Sequence, residues 1–136
     1  MHLHTAIHIA ASPAEVWAVL TDFDSYPQWN PFVRWLKGRP VVGQQIEVAL
    51  PGMNFKPEVL VFEAGKEFRW KGKLWIKGLF DGEHFFVLQP HGNGTLFQHG
   101  EHFGGLLLPL FKGMIESKTK AGFEEMNRAL KARVEG

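Results

Sequence analysis

The chain has 136 residues, the length of one domain, and can bury roughly two thirds of its unfolded surface. Its net charge of +1, with acids and bases interspersed, offers no basic face to nucleic acid. The absence of cysteine excludes disulfides and thiolate metal sites, which suits a reducing, cytoplasmic setting. Twelve Phe and five Trp against one Tyr imply a bulky core or a cavity walled by rings. The opening MHLHTAIHIAAS has no basic region and no long apolar run, so it does not read as a signal peptide, and no segment approaches the ~20 apolar residues of a membrane span.

The first element alternates with period two. Leu3, Thr5, Ile7 and Ile9 share one side, and His2, His4, Ala6 and His8 the other, as in a strand with its histidines turned to water. A helix start follows in ASPAEVWAVLTD: Ser12 is the N-cap, Pro13 takes the first helical position and Glu15 completes a capping box. Pro27 and Pro31 in FDSYPQWNPF then permit only one short helical turn, near residues 24–29. Strands are expected over 32–37, 45–50, 56–63, 67–72, 82–89 and 95–103, parted by Gly- and Pro-rich turns such as PGMN (51–54) and KGLFDG (77–82). Short turns between consecutive strands argue for an antiparallel meander. From about Pro109 the period changes, and Phe111, Ile115, Thr119, Phe123, Met126, Leu130 and Val134 trace one face of a helix of about 25 residues. Gly113 and Gly122 each cost that helix about 1 kcal/mol relative to Ala, and would leave room for something bulky beside it. A sheet with one apolar face needs a cover, and this helix is the only element long enough.

The letters G-E-H-F occur at 82–85 and again at 100–103, in opposite phase. Phe97, His99, Glu101 and Phe103 form one parity of the last strand, and His84, Phe86 and Leu88 one parity of its predecessor. With the turn in PHGNG, inner residues oppose inner residues; Leu88 opposite Phe97 would set Phe86 opposite His99 and His84 opposite Glu101, and a slip of two residues would instead put His84 opposite His99 or Phe103. Parity therefore gathers His84, His99 and Glu101 on the concave face. Each would cost about 1–3 kcal/mol if buried without a partner, so they must pair with one another or be wetted in a cavity. Two His and one carboxylate would suit iron or zinc, yet a His-x-Glu with a distant His is no metal signature. Neither a metal nor any other cofactor is expected.

SPAEVWAVLTDFDSYPQWNPF, GLFDGEHFFVLQPHGNGTLFQHGEHFGGLLLP and the final helix together resemble the SRPBCC family, the START-like, Bet v 1-like helix-grip proteins often called polyketide cyclase/dehydrase-like. The resemblance covers nearly the whole chain as a single domain, 1–136. It implies an α+β fold, a seven-stranded antiparallel sheet curved round a long C-terminal helix, with two short helices after the first strand and a deep apolar cavity between sheet and helix. Members include carriers of lipids, hormones and pigments as well as aromatase/cyclases, so it implies less about activity.

The expected function is binding of a small hydrophobic molecule, cyclic, aromatic or lipid-like, in that cavity. Trp29, Trp70, Phe86, Phe103, Phe111 and Ile115 would wall it, and His84, His99 and Glu101 would orient a hydroxyl or carbonyl. The alternative is a cyclase or dehydratase with His84 or His99 as general base and Glu101 as orienter or acid; no Ser stands in a nucleophile motif. A lipid or quinone carrier touching membranes through GGLLLPLF (104–111) is a further reading. That run reads first as a buried lead-in to the helix.

Overall fold

The computed structural model describes residues 1–74 and 78–136. Strand β1 (His2–Ile9) buries Leu3, Thr5 and Ile9 and exposes His2, His4 and His8, as its alternation requires. Helix α1 (Pro13–Leu20) begins with the capping box: Glu15 N–H donates to Ser12 Oγ while Ser12 N–H donates to Glu15 Oε1. One 3-10 turn (Phe23–Ser25) and the four-residue helix α2 (Tyr26–Trp29) follow. Asn30 ends α2, its Oδ1 accepting the backbone N–H groups of Phe32 and Val33.

The seven-stranded sheet of the sequence reading is instead eight strands in two sheets among the described residues. The larger has the order β1-β8-β7-β6-β5, with β5 Glu58–Glu63, β6 Glu67–Leu74, β7 Phe80–His91 and β8 Gly94–Gly104, and all its pairs are antiparallel. The smaller is β2-β3-β4, with β2 Trp35–Lys37, β3 Glu47–Leu50 and β4 Met53–Phe55. Two local causes explain the difference. The turn in PGMN is only Pro51–Gly52, with Gly52 at φ +84°, so Met53 and Asn54 already pair back onto Leu50 and Ala49 as a strand. Pro57 then has no N–H to extend β4 into β5. The sheets meet instead where Gln45 bridges Glu58 and Ile46 N–H reaches Pro57 O. Lys77, which opens the expected turn at 77–82, lies outside the described residues, and Phe80, Asp81 and Gly82 belong to β7.

The long C-terminal helix is present with one irregularity. Segment α3 (Leu108–Met114) passes through a π turn (Ile115–Thr119) into α4 (Lys120–Glu135). Ile115, Phe123, Met126 and Leu130 are buried from it, and α4 lies against β1, β8 and α1. The run 104–111 is not the buried lead-in expected from its composition: Leu106 and Leu110 are 81% and 77% exposed. No helix among the described residues is long and apolar enough to cross a membrane.

The two helix glycines differ. A Cβ on Gly122 would lie 2.8 Å from the Phe32 ring, whereas one on Gly113 meets nothing within 4 Å. Gly122→Ala is therefore expected to lower stability by about 1–3 kcal/mol through overpacking, and Gly113→Ala to raise it by up to about 1 kcal/mol through helix propensity. Urea denaturation of the two variants checks both signs.

Candidate functional site

On the inner face of the larger sheet, the pairing runs in rows. Phe68, Phe86, His99 and Thr5 form one row across β6, β7, β8 and β1. Trp70, His84, Glu101 and Leu3 form the next, and Gly72, Gly82 and Phe103 the one after. His84 thus faces Glu101, one of the registers that the strand parity allows.

The polar side chains of these rows join one hydrogen-bonded chain whose direction can be worked out from its far end. Thr5 has a single hydroxyl hydrogen, and it goes to the His99 carbonyl at 2.7 Å. Thr5 Oγ1 therefore accepts at 2.8 Å from Asn127 Nδ2, an α4 side chain. Asn127 Oδ1 is then the acceptor for His99 Nδ1–H at 2.9 Å. A neutral His99 with its proton on Nδ1 leaves Nε2 as an acceptor, so His84 Nε2–H donates to it at 2.7 Å. His84 Nδ1 and Glu101 Oε1, 2.7 Å apart, share one further proton.

Burial decides where that proton rests. His84 is 2% exposed and His99 fully buried, and their surroundings are rings: Trp70 stacks on His84 at 4.8 Å and Phe123 on His99 at 4.1 Å. Desolvation disfavours imidazolium, pushing His84 down to about 3 and His99 well below the usual imidazole value. It disfavours carboxylate as well, raising Glu101 to about 8. Both shifts favour the uncharged pair, with a protonated Glu101 donating to His84 Nδ1. Every donor in the chain then points inward from Glu101, and no charge is buried.

Glu101 is the end that reaches the surface, its side chain 17% exposed. Its second oxygen, Oε2, lies over Gly82, where an added Cβ would fall 1.9 Å away. Gly72, the neighbour of Gly82 on β6, is covered by the Phe55 ring. The space that side chains would take at these two adjacent inner-face positions is thus filled, by the Glu101 carboxyl at Gly82 and by the Phe55 ring at Gly72. Around them Phe80, Phe103, Leu108 and Phe111 are partly buried, with Phe80 against Phe111 at 4.9 Å and against Phe103 at 5.9 Å. Because Oε1 carries the proton toward His84, Oε2 is left as an acceptor at the partly exposed end of the side chain.

The remaining residues singled out from sequence are dispersed. Trp70 and Phe86 lie in the packed core beside the imidazoles. Phe103 and Phe111 pack on Phe80, and Ile115 is buried at the start of the π turn. Trp29 packs on Tyr26 at 5.3 Å, and its buried Nε1 has no hydrogen-bond partner among the described residues. Sequence reasoning missed Asn127, although it falls four residues after Phe123 and three before Leu130, a polar residue on the apolar helix face. It also missed Gly72 and Gly82 as a pair, visible only once β6 and β7 are in register. Among the described residues no group of three or more His, Cys, Asp or Glu could hold a metal ion.

The family described as polyketide cyclase / dehydrase and lipid transport matches residues 1–135. Among curated proteins none matches the chain. Several solved structures share its fold. A START superfamily protein from Mycobacterium smegmatis is 22% identical, with a TM-score of 0.75 over 98% of this chain and 97% of that one. A hypothetical protein from Helicobacter pylori is 13% identical, with a TM-score of 0.84 over 98% and 88% of the two chains. DynU16, from the dynemicin biosynthetic locus, is 20% identical at a TM-score of 0.78; 98% of this chain matches 47% of that one.

The proton arrangement sets a pH dependence. The native chain keeps a proton on Glu101 that the unfolded chain gives up above about 4.5, so stability falls as pH rises toward about 8. The unfolded chain takes up protons below about 6.5 that His84 and His99 refuse when folded, so stability also falls as pH drops from there toward 3. Two histidines outweigh one carboxyl below that point. Urea midpoints should peak near pH 6.5, and Glu101→Gln, whose amide can still donate to His84, should keep the acid limb and lose the alkaline one.

Proposed function

The chain belongs to the polyketide cyclase / dehydrase and lipid transport family, and on that premise we propose that it binds a small hydrophobic molecule at the mouth between β7, β8 and α3, with Glu101 as the polar anchor. The reading rests on the partly exposed end of Glu101, seated over Gly82, beside the partly buried Phe80, Phe103 and Phe111. Such a place offers apolar walls and one convergent polar group, the common composition of a small-molecule site. Oε2 can only accept, so the favoured ligand presents an O–H or N–H: a phenol, an enol or an alcohol on a cyclic or lipid-like body. Leu106, Leu110 and Met114 stay exposed along the adjoining loop and helix, an apolar lip by which such a ligand would enter. His84 and His99 act through Glu101, since stacked rings cover both imidazoles.

A second reading is catalytic. A carboxyl held protonated up to about pH 8 would give a proton to a leaving hydroxyl, as a dehydratase or cyclase requires, once that hydrogen turns from His84 Nδ1 to the ligand side. His84 would then be a positioning residue that orients the acid.

Binding of 2-naphthol and of naphthalene, followed by tryptophan fluorescence, separates these readings from plain hydrophobic adsorption. The hydroxyl compound is expected to bind at least about fivefold more tightly, as one net hydrogen bond allows. Gly82→Ala, which displaces the Glu101 carboxyl, should erase that preference while leaving the fold intact by circular dichroism. Equal affinities for the two probes, unchanged in Gly82→Ala, would reject Glu101 as the anchor. Native mass spectrometry of the purified chain, with organic extraction, identifies any molecule carried with it.

A further inference from the structure

On the opposite side of the small sheet lies a second concavity with the reverse chemistry. A groove of about 980 Å³ runs between the end of α2 and the small sheet at Trp35 and residues 49–54, and none of its lining residues is among those named around Glu101. Its volume is within the range of small-molecule sites. Pro27, Pro31 and Pro51 stiffen its walls, so little chain entropy is lost when it is filled. Trp35 contributes an aromatic surface, with Lys37 Nζ 4.7 Å from the ring centroid.

The polar groups of this groove include committed donors. Asn30 is 6% exposed, and its amide orientation is fixed because Oδ1 already accepts from Phe32 N–H and Val33 N–H. Nδ2 is left with its hydrogens buried and with no acceptor among the described residues. An unpaired buried donor of this kind is costly and rare. Arg34, also lining the groove, is exposed and forms no ion pair among the described residues, and no Asp or Glu lines the groove at all.

The geometry points to a second ligand site here, for a small organic anion: a carboxylate on a flat apolar body. The carboxylate would take the exposed guanidinium of Arg34 and, with a small displacement that opens the groove wall, the buried Nδ2 of Asn30, and the body would lie along Trp35 between the prolines. A guanidinium and an amide N–H together match a planar two-oxygen acceptor better than a neutral hydroxyl. The two concavities therefore sort ligands by polarity. The mouth at Glu101 offers an acceptor to a donor-bearing ligand, and the outer groove offers donors to an anion. The second assignment stands independently of the first.

The test is two-dimensional NMR of the full chain titrated with 2-naphthoate and, separately, with neutral 2-naphthamide. Naphthoate is expected to shift the Asn30 side-chain amide and the Trp35 indole signals, to leave the His84 ring signals unmoved, and to bind more tightly than the amide. Arg34→Ala, a surface change, should weaken naphthoate at least about tenfold, the scale of one charge-assisted hydrogen bond. Asn30→Asp retains the two accepted backbone bonds while replacing the donor with an acceptor, and should lose binding as well. Shifts confined to His84 or Phe103, equal affinity for acid and amide, undiminished binding in Arg34→Ala, or no binding at millimolar naphthoate would each overturn the assignment.

Discussion

The hydrogen bond between Glu101 and His84 is the constraint on which the interior depends. It begins a chain of donors that runs through His99, Asn127 and Thr5 and ends on the His99 carbonyl, joining β7, β8, α4 and β1. A hydrophobic contact tolerates sliding by a fraction of an ångström, but a sequence of directed donors does not. The network therefore fixes the rotation of α4 about its axis and the register of the β7–β8 hairpin together. Omitting one member would leave a buried group without a partner, at about 1–3 kcal/mol, a substantial part of the margin by which domains are stable. This explains why imidazoles can lie among phenylalanines: each ring nitrogen has a partner, and the stacked aromatic rings exclude water that would compete for it.

The same network limits what the site can do. With every donor directed inward, both imidazoles have used their hydrogen-bonding capacity on neighbours, and their faces are covered by Trp70 and Phe123. At the proposed site a ligand would meet only the outer oxygen of Glu101. The imidazoles influence it at a distance, by holding the carboxyl proton on the inner oxygen and so fixing the outer one as an acceptor. Removing charge from the interior and specifying ligand polarity are thus consequences of one proton's position.

Much of this was legible before the fold was known. Parity brings His84, His99 and Glu101 to one face, because Phe97 and Phe103 face the core and Glu83 suits water better than His84 does. Which residue His84 opposes stays open between registers two residues apart, and the hairpin pairs it with Glu101. The helix face from Phe111 to Val134 followed from its spacing, and Ser12, Pro13 and Glu15 announced α1. What escaped depended on partners distant in sequence. Asn127 completes the network only because α4 crosses β8 and β1 at His99 and Thr5. Gly72 and Gly82 become neighbours only when their strands pair, and there they seat the Phe55 ring and the Glu101 carboxyl. The small sheet was hidden by a two-residue turn, since Met53 and Asn54 are too few to show a period, and by Pro57, whose missing N–H severs the ladder at a point where the residue pattern continues.

Asn30 shows how one side chain can serve both fold and surface. Its carbonyl oxygen accepts two backbone N–H groups and so turns the chain from α2 toward β2. That commitment determines which amide end is left over: the local turn uses the acceptor, and the nitrogen stays unpaired in the wall of the outer groove. Glu101 is the mirror case, where the interior uses the donor and the acceptor is left facing outward. In both places a backbone or core requirement consumes one half of a bifunctional group, and the other half gives the adjoining concavity its polarity. Ligand preference at each site is then a by-product of how the chain satisfies its own buried hydrogen bonds, and changing it without loss of stability requires a substitution, such as Gln for Glu101 or Asp for Asn30, that preserves the inward half.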